Sequence, residues 1–307
     1  MIKDICKQIF RSIFTPIFLL LFKSHILTPR IIVKVDGGIC SQMHFYLIGS
    51  LFKEKGYKVE YDLSWYVQDG FDMTGKFCRN FDLLKLFPNL QFKRASLFAT
   101  RLYRCMFSYV NDYFSNKELD YLSLCPPRYL AGYYKDPKNL YQTKFKHYFP
   151  IDNNVLDKDN LAVLCNIQGI KNSVAIHVRR GDLSAYLPAY GYPASTQYFI
   201  TAIEYLNKKY DACCYFIFSD EPEWCKNNLI NYLPSGFQYK IVDLNGSDKG
   251  YMDLILIANC RHQITSKGSL GKYGALLKQG NGEVIICNDD TNKIWESLIP
   301  NSVLIPS

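Results

Sequence analysis

The sequence predicts an α/β protein with two doubly wound halves, whose parallel sheets face each other across a ligand cleft. Short apolar runs alternate with segments of helical periodicity, which favours parallel strands joined by helices. The chain has 307 residues, of which 48% are hydrophobic and 15% aromatic, so it buries a core and is not disordered. At roughly 100 to 200 residues per domain, this length allows two domains.

The first half opens with a β-α-β unit. Its elements, in order, are a strand at 30–36, a turn at Gly37-Gly38, a helix at 41–55 and a strand at 57–65. The following region is rich in aromatic and turn residues, and its candidate helices are 83–87 and 100–111.

The second half is more regular. Strands are predicted at 173–178, 213–219, 238–243, 262–266 and 283–287, and helices at 196–209, 222–232, 250–260 and 270–278. We therefore divide the chain into a basic segment at 1–29, an α/β domain at 30–160 and a second α/β domain at 161–307. A ligand of such a sheet is expected at the carboxyl ends of its strands.

Charge is concentrated at the N-terminus. The formal charge is +8, and half of it lies in residues 1–30. This segment contains one acidic residue, Asp4, and five basic residues, namely Lys3, Lys7, Arg11, Lys23 and Arg30. The apolar core of this segment is too short to span a bilayer, and no signal-peptide cleavage site follows it. Its apolar residues fall on one helical stripe, namely Ile2, Ile5, Ile9, Ile13, Ile17 and Leu20. This stripe fits a helix lying on an anionic membrane, and equally a helix packed on the domain.

Other compositional features exclude several classes. No dense Lys/Arg cluster follows the N-terminal segment, which argues against nucleic acid. The eleven cysteines contain no C-x-x-C pair and indicate a reducing compartment. The acidic triad Asp157-Lys158-Asp159 follows no convincing strand, so no metal site is expected.

The strongest local motif is His177-Val178-Arg179-Arg180-Gly181-Asp182, at the end of a predicted strand. The guanidinium fork matches phosphate geometry, which favours an anion site over a simple surface ion pair with Asp182. Because side chains alternate along a strand, His177 and Arg179 should share one face and Arg180 the other.

Three further turns lie between a predicted strand and a helix. The turn with Gly37, Gly38, Ser41 and Gln42 can present backbone N–H groups to an anion or sugar, but it is neither G-x-G-x-x-G nor a P-loop. Ser219 or Asp220 caps the next helix, with Pro222 in its first turn, or holds a nucleoside. Gly268 and Ser269 form a turn that suits a phosphate or close packing.

Together these motifs resemble the α-1,2-fucosyltransferases of bacterial O-antigen and animal H-antigen synthesis. Residues 177–182 match H-x-R-R-x-D, 218–224 resemble F-S-D-D-x-x-W with Glu221 as the second acid, and 37–42 resemble G-G-x-x-x-Q. The stretches 61–65 and 265–277 are similar to two further elements, although Ser41 replaces the usual Asn and Lys272-Tyr273 a more aromatic pair. The resemblance implies a GT-B fold and inverting, metal-independent transfer from GDP-β-L-fucose to a 2-hydroxyl.

On this basis 30–160 is the acceptor-side domain and 161–307 the GDP-sugar-binding domain. Arg179 and Asp182 are the expected catalytic residues, with Arg179 on the β-phosphate; Asp36 is a second candidate base. The expected donor-binding residues are Gly37, Gly38, Ser41, Gln42, His177, Arg179, Arg180, Ser219, Asp220, Gly268 and Ser269.

The expected partners are GDP-fucose, a glycan acceptor that is free or lipid-linked, and an anionic membrane surface. The protein is expected in the cytoplasm, either free or peripheral on the cytoplasmic face of the inner membrane, in the synthesis of O-antigen or another surface polysaccharide. Two alternatives stay open: a related metal-independent transferase using another sugar nucleotide, and a non-catalytic basic protein that binds polyanions.

Overall fold

The computed structural model describes residues 2–72, 75, 77–104, 109–111, 128–132, 138–181, 183, 192–233, 236–288, 293–299 and 301–307. The chain forms two compact units. Unit 1 comprises Met1–Gly70, Asn80–Leu84 and Pro88–Phe145, and unit 2 comprises Phe71–Arg79, Lys85–Phe87 and Lys146–Ser307. Two short segments from the first half of the sequence therefore belong to the second unit.

Unit 1 contains a four-stranded parallel sheet of order β2-β1-β4-β3. Its strands are β1 (Arg30–Lys34), β2 (Lys58–Asp62), β3 (Tyr109–Asn111) and β4 (Arg128–Ala131). Its helices are α1 (Ile2–Lys23), α2 (Ile39–Glu54), α3 (Trp65–Gln68), α4 (Leu83–Leu86, whose last two residues belong to unit 2), α5 (Leu97–Tyr103) and α6 (Lys138–Thr143). β1 and β2, joined by α2, form the predicted β-α-β unit.

Two boundary predictions in unit 1 were wrong. The predicted strand at 57–65 ends at Asp62, because the Asp62 carboxylate accepts a hydrogen bond from the backbone N–H of Ser64 (2.9 Å) and turns the chain into α3. The predicted helix at 100–111 ends at Tyr103, and Tyr109–Asn111 is a strand. Pairing with β4 decides the conformation there, which local periodicity does not reveal.

Unit 2 contains a six-stranded parallel sheet of order β10-β9-β8-β5-β6-β7. Its strands are β5 (Ser173–Val178), β6 (Cys214–Ser219), β7 (Gln238–Val242), β8 (His262–Thr265), β9 (Val284–Asn288) and β10 (Ser302–Pro306). The five strands predicted in this half are confirmed to within one residue at each end, and β10 was not predicted. β5 lies inside the sheet, and all six of its residues are buried.

The helices of unit 2 are α7 (Phe145–Tyr148, which begins at the unit boundary), α8 (Lys158–Gly169), α9 (Thr196–Lys209), α10 (Pro222–Asn228), α11 (Gly250–Asn259), α12 (Leu270–Leu277) and α13 (Lys293–Leu298). Short 3-10 turns lie at Asn153–Val155 and Ile230–Tyr232. The Asp157 carboxylate caps α8 by accepting a hydrogen bond from the N–H of Asn160 (3.1 Å). The acidic triad at 157–159 is therefore the beginning of a helix.

α1 leaves its apolar stripe exposed. Ile2 is 76% exposed and Leu20 is 68% exposed, with Ile5, Ile9, Ile13 and Ile17 about half exposed. Among the described helices none is long and apolar enough to cross a membrane. The stripe is therefore available to a partner outside this chain.

A buried histidine gives unit 2 a pH-dependent stability. His262 is fully buried on β8; its Nδ1 accepts a hydrogen bond from the N–H of Glu283 (3.1 Å), while its Nε2 has no partner. Burial, followed by the charges of Arg261 and Lys278, lowers the pKa of His262 from 6.5 to about 4. Between pH 6.5 and about pH 4, His262 is therefore protonated in the unfolded chain and neutral in the folded chain.

We expect the free energy of unfolding to fall as the pH is lowered from about 6.5 to about 4, with His262 contributing about 3 kcal/mol. The variant His262→Asn keeps an acceptor for the Glu283 N–H and should lose less stability over this range in urea unfolding at pH 7 and pH 4.5. His25→Asn, at an exposed histidine, is the matched control. Identical pH dependence in His262→Asn and the wild type would contradict the assignment.

Candidate functional site

The end of β5 is pinned by the two strands beside it. The backbone N–H of Arg179 donates to the Oγ of Ser266, which follows β8 (3.0 Å). The N–H groups of Arg180 and Gly181 donate to the two carboxylate oxygens of Asp220, which follows β6 (3.0 Å each). The motifs at 177–182, 218–224 and 265–271 thus meet at one edge of the sheet, as parallel strands require.

Arg179 is held on two sides. Its Nη1 lies 3.2 Å from the Oδ2 of Asp220, and its aliphatic stem packs against Gly268. A Cβ on Gly268 would lie 3.2 Å from the Cγ of Arg179, and Gly268 has a φ of +92°, so glycine is needed there on two grounds. The Arg179 side chain as a whole is a quarter exposed, so part of it can be reached by a ligand.

Arg180 points to a different neighbour. Its guanidinium stacks on the ring of Trp224 at 3.9 Å from the centroid, and its Nε lies 3.6 Å from the carboxylate of Glu221. The two arginines therefore have different partners within the loop at 220–224, and their placement on opposite faces of the strand stays a prediction. The predicted brace by Asp182 lies outside the described residues.

His177 is buried beneath the first turn of α12. A Cβ on Gly271 would lie 2.9 Å from both Cβ and Nδ1 of His177, so only glycine allows this approach. Its Nδ1 has no hydrogen-bond partner. Burial, and then the charges of Arg179 and Lys272, lower the pKa of His177 to about 3. The imidazole is therefore neutral near pH 7 and can exchange hydrogen bonds without carrying charge.

The beginning of α12 adds positive potential to this edge. Ser269 is the N-cap residue of α12, and its side chain makes no capping hydrogen bond. Lys272, in the first turn, is buried, and its ammonium lies 5.5 Å from the centre of the Trp295 ring. A helix N-terminus, the Lys272 ammonium and the Arg179 guanidinium together favour an anion such as a diphosphate.

Asp220 does not cap α10. The N-cap residue is Glu221, without a side-chain hydrogen bond, and the Oγ of Ser219 accepts from the N–H of Glu221 (2.9 Å). Pro222 begins the helix as predicted. The capping role predicted for Asp220 was wrong because the turn after β5 uses both of its oxygens. Nucleoside contacts by Ser219 and Asp220 stay predictions.

In unit 1, Gln42 braces the glycine turn between β1 and α2. Its side chain is fully buried; Nε2 donates to the carbonyl oxygens of Gly37 (3.2 Å) and Asn80 (2.7 Å), and Oε1 accepts from the N–H groups of Asp82 and Leu83 (2.9 Å each). All four of these hydrogen bonds join the Gln42 side chain to backbone groups of the protein. Donor contacts by Gly37, Gly38, Ser41 and Gln42 stay predictions.

Asp36 and Asp182 are the two candidate bases. Asp36, just after β1, is 6% exposed and its Oδ2 lies 3.4 Å from the Nζ of Lys34. Asp182 lies outside the described residues. A catalytic role for either carboxylate stays a prediction.

The family model described as Glycosyl transferase family 11 matches residues 103–297, which is more than half of the chain. The chain belongs to glycosyl transferase family 11. This confirms the resemblance predicted from the motifs, establishes a glycosyltransferase, and sets aside the non-catalytic alternative.

Two curated relatives illustrate the range of the family. The α-1,2-colitosyltransferase of Escherichia coli is 24% identical over 263 residues, covering 81% of this chain and 87% of that protein. The galactoside α-(1,2)-fucosyltransferase 1 of Saimiri sciureus is 27% identical over 110 residues, covering 35% of this chain and 29% of that protein. The match to the primate enzyme therefore spans less than a third of its length.

A solved structure supports the fold. An Arabidopsis thaliana FUT1 variant in complex with GDP matches with a TM-score of 0.51 and 11% identity, covering 86% of this chain and 71% of that chain. At this identity the match shows the fold alone. It confirms the predicted GT-B-like architecture of this family 11 member.

Several polar and aromatic residues with specific contacts in unit 2 were not among the predicted site residues. Trp224 and Ser266 lie inside quoted motifs, but their partners come from a neighbouring strand end. Asn245, after β7, donates to the carboxylate of Asp253 (2.7 Å), and burial raises the pKa of Asp253 to about 7. No local pattern marks such a pair, because Asn and Asp are ordinary loop and helix residues.

No group of three or more His, Cys, Asp or Glu residues within the described ranges could hold a metal ion. Metal independence of this family 11 enzyme stays a prediction, which chelation tests directly.

Proposed function

We propose that the protein transfers L-fucose from GDP-β-L-fucose to the 2-hydroxyl of an acceptor sugar, with inversion at the anomeric carbon. The observation that carries the proposal is the Arg179 guanidinium, fixed between Asp220 and Gly268 beside the N-terminus of α12. An arrangement of this kind suits a diphosphate leaving group.

The reaction breaks the bond between the fucose anomeric carbon and the β-phosphate oxygen while the acceptor oxygen forms a new bond on the opposite face. Negative charge grows on the β-phosphate as GDP departs, and Arg179 stabilises it there. The acceptor hydroxyl loses its proton to a carboxylate, for which we propose Asp182 on its place in the motif. Asp36 is the alternative base.

The remaining predicted contacts complete the donor site in this proposal. Neutral His177, with Ser219 and Asp220, serves the nucleoside, while Gly268 and Ser269 offer backbone and hydroxyl groups to phosphate. Arg180 supports the donor site indirectly in this proposal, because its guanidinium is stacked on Trp224. Donor contacts by the turn at Gly37, Gly38, Ser41 and Gln42 belong to the same proposal.

A second donor sugar is supported by a specific observation. The E. coli relative, which matches over 81% of this chain, is named for transferring colitose. We therefore test GDP-β-L-fucose, GDP-colitose, GDP-mannose and UDP-galactose in parallel with galactoside acceptors, and read the product linkage by NMR. An α-1,2 product with fucose supports the proposal; turnover with colitose alone favours the second sugar, and turnover only with mannose or galactose contradicts both.

Transfer activity should persist in excess EDTA. Arg179, Lys272 and the N-terminus of α12 supply the positive charge that a metal would otherwise bring to the diphosphate. Turnover is measured with and without the chelator. Loss of activity in EDTA, with recovery on adding Mg²⁺ or Mn²⁺, would contradict metal independence.

We further propose that the enzyme works in the cytoplasm at the surface of an anionic membrane, on a lipid-linked acceptor in the synthesis of O-antigen or another surface polysaccharide. Supporting it are the exposed apolar stripe of α1 and the net charge of +4 in residues 1–30. An apolar stripe together with basic residues is typical of helices that lie in a membrane interface.

Removing residues 1–24 should leave a folded protein that binds anionic vesicles more weakly. The deletion removes four of the five basic residues of this segment, each worth about 1 kcal/mol near an anionic surface at low salt. Vesicle sedimentation and thermal unfolding are measured for both forms. An insoluble or unfolded product would instead make α1 a structural helix.

A further inference from the structure

One side of α5 is buried, and its other side exposes apolar side chains. It packs Ala99 and Thr100 into the protein, where each is about 5% exposed. Its other face carries Leu97, Phe98 and Leu102, which are 72%, 77% and 57% exposed. This exposed set, with Arg101 between its members, is here called the α5 face.

The α5 face belongs to a firmly held element. The N-cap Ser96 accepts a hydrogen bond from the N–H of Ala99 (3.1 Å). At the other end, the Arg104 guanidinium donates to the carboxylate of Asp62 (3.1 Å) and to the hydroxyl of Tyr129 (3.1 Å). Because both ends are anchored, the exposure of Phe98 reflects the fold.

The segment that contains α5 carries charges of only one sign. Residues 91–104 contain Lys93, Arg94, Arg101 and Arg104 and no acidic residue. The charges of Lys93 and Arg104 are met by Glu60 (3.0 Å) and Asp62 (3.1 Å), whereas Arg94 and Arg101 are exposed. The complementary partner is therefore apolar at its centre and anionic around it.

The segment that joins α1 to β1 in unit 1 also exposes apolar side chains. Tyr103, at the end of α5, lies near Arg30, the first residue of β1. Just before β1, Ile26 is 69% exposed and Leu27 is 43% exposed. Apolar exposure in unit 1 is therefore found beyond α1 as well, at Ile26 and Leu27 and on the α5 face.

We propose that the α5 face is a second membrane-contacting surface, which inserts Leu97, Phe98 and Leu102 among the headgroups of an anionic bilayer. This inference rests on the membrane location proposed above and extends it from one helix to two. Leu and Phe beside Arg, on a short helix lying flat on the protein, are typical of interfacial insertion. Contact through both α1 and α5 would fix how unit 1 is oriented on the membrane, which a single helix cannot do.

The test uses the full chain and vesicles of phosphatidylcholine with phosphatidylglycerol. Phe98→Ser should weaken binding to these vesicles about tenfold, from the apolar area that no longer inserts. Val67→Ser, at a residue that is 88% exposed on α3, is the matched control and should bind like the wild type. Arg101→Gln should weaken binding only at low salt.

A second comparison separates the two helices. Ile9→Ser with Ile13→Ser weakens α1, and adding Phe98→Ser should lower vesicle binding further. Equal binding by Phe98→Ser and the wild type would overturn the proposal, as would light scattering that shows a dimer dissociated by Phe98→Ser. Transfer to a soluble acceptor is measured for every variant, so that failure of the proposed reaction is distinguished from failure of membrane contact.

Discussion

Replacing Arg179 with Lys is expected to lower turnover at saturating GDP-β-L-fucose by about 10²–10³-fold. Lys keeps the charge, but a guanidinium can hold the Asp220 carboxylate and a phosphate at the same time, each through a different edge. An ammonium has no fixed second edge and sits on a stem of different reach against Gly268. The loss should appear in turnover, because the phosphate gains charge as GDP leaves.

Arg180→Lys is the matched comparison. This change removes the stacking on Trp224 (3.9 Å), worth about 0.5–2 kcal/mol, and should lower the melting temperature or donor affinity with a smaller effect on turnover. Both variants are measured at saturating donor, with thermal unfolding as the control for folding. Equal losses of turnover, or a greater loss at Arg180, would move the phosphate contact to the second arginine.

Asp220→Asn is expected to reduce turnover about 10- to 100-fold, corresponding to one or two hydrogen bonds to a charged group. The Asp220 carboxylate accepts from the backbone of Arg180 and Gly181 and pairs with the Arg179 guanidinium. The asparagine side chain has an NH₂ group in place of one carboxylate oxygen. This donor would face either a backbone N–H or the Arg179 guanidinium, which are donors themselves. The turn after β5 and the Arg179 side chain should both lose their fixed positions.

Glu221→Gln controls for charge in the same loop. The Glu221 carboxylate lies 3.6 Å from the Nε of Arg180 and is more than a third exposed, so its loss should change turnover less than twofold. Turnover and GDP binding are measured for both variants. A loss in Glu221→Gln as large as that in Asp220→Asn would show that acidity of the loop matters and that the specific contacts of Asp220 do not.

The sequence predicted which motifs meet at the carboxyl edge of the sheet in unit 2, because a single rule governs that edge. Buried parallel strands are continuous apolar runs, and their carboxyl ends meet at the same edge. Finding the strands that end at Val178, Ser219 and Thr265 was therefore enough to bring three motifs together. The different neighbours of Arg179 and Arg180 are set in the turn after β5, beyond its last residue Val178.

What could not be predicted depends on contacts between distant segments. A buried lysine at 272 contradicts the usual preference of that residue for solvent, and its place over Trp295 follows only from the packing of α12 and α13. The short strand β10 is defined by pairing with β9. Asp220 looked like a helix cap, since its partners lie on a turn forty residues away in sequence.

The interleaving of the two units has a consequence for engineering. A chimaera that exchanges the second half of this chain for that of a relative, with the crossover at residue 145, would separate Phe87 from Phe149, whose ring centroids lie 4.9 Å apart. It would also remove Lys85 from the ring of Tyr251. An exchange of unit 2 should therefore carry residues 71–79 and 85–87 together with 146–307, as a graft of three pieces.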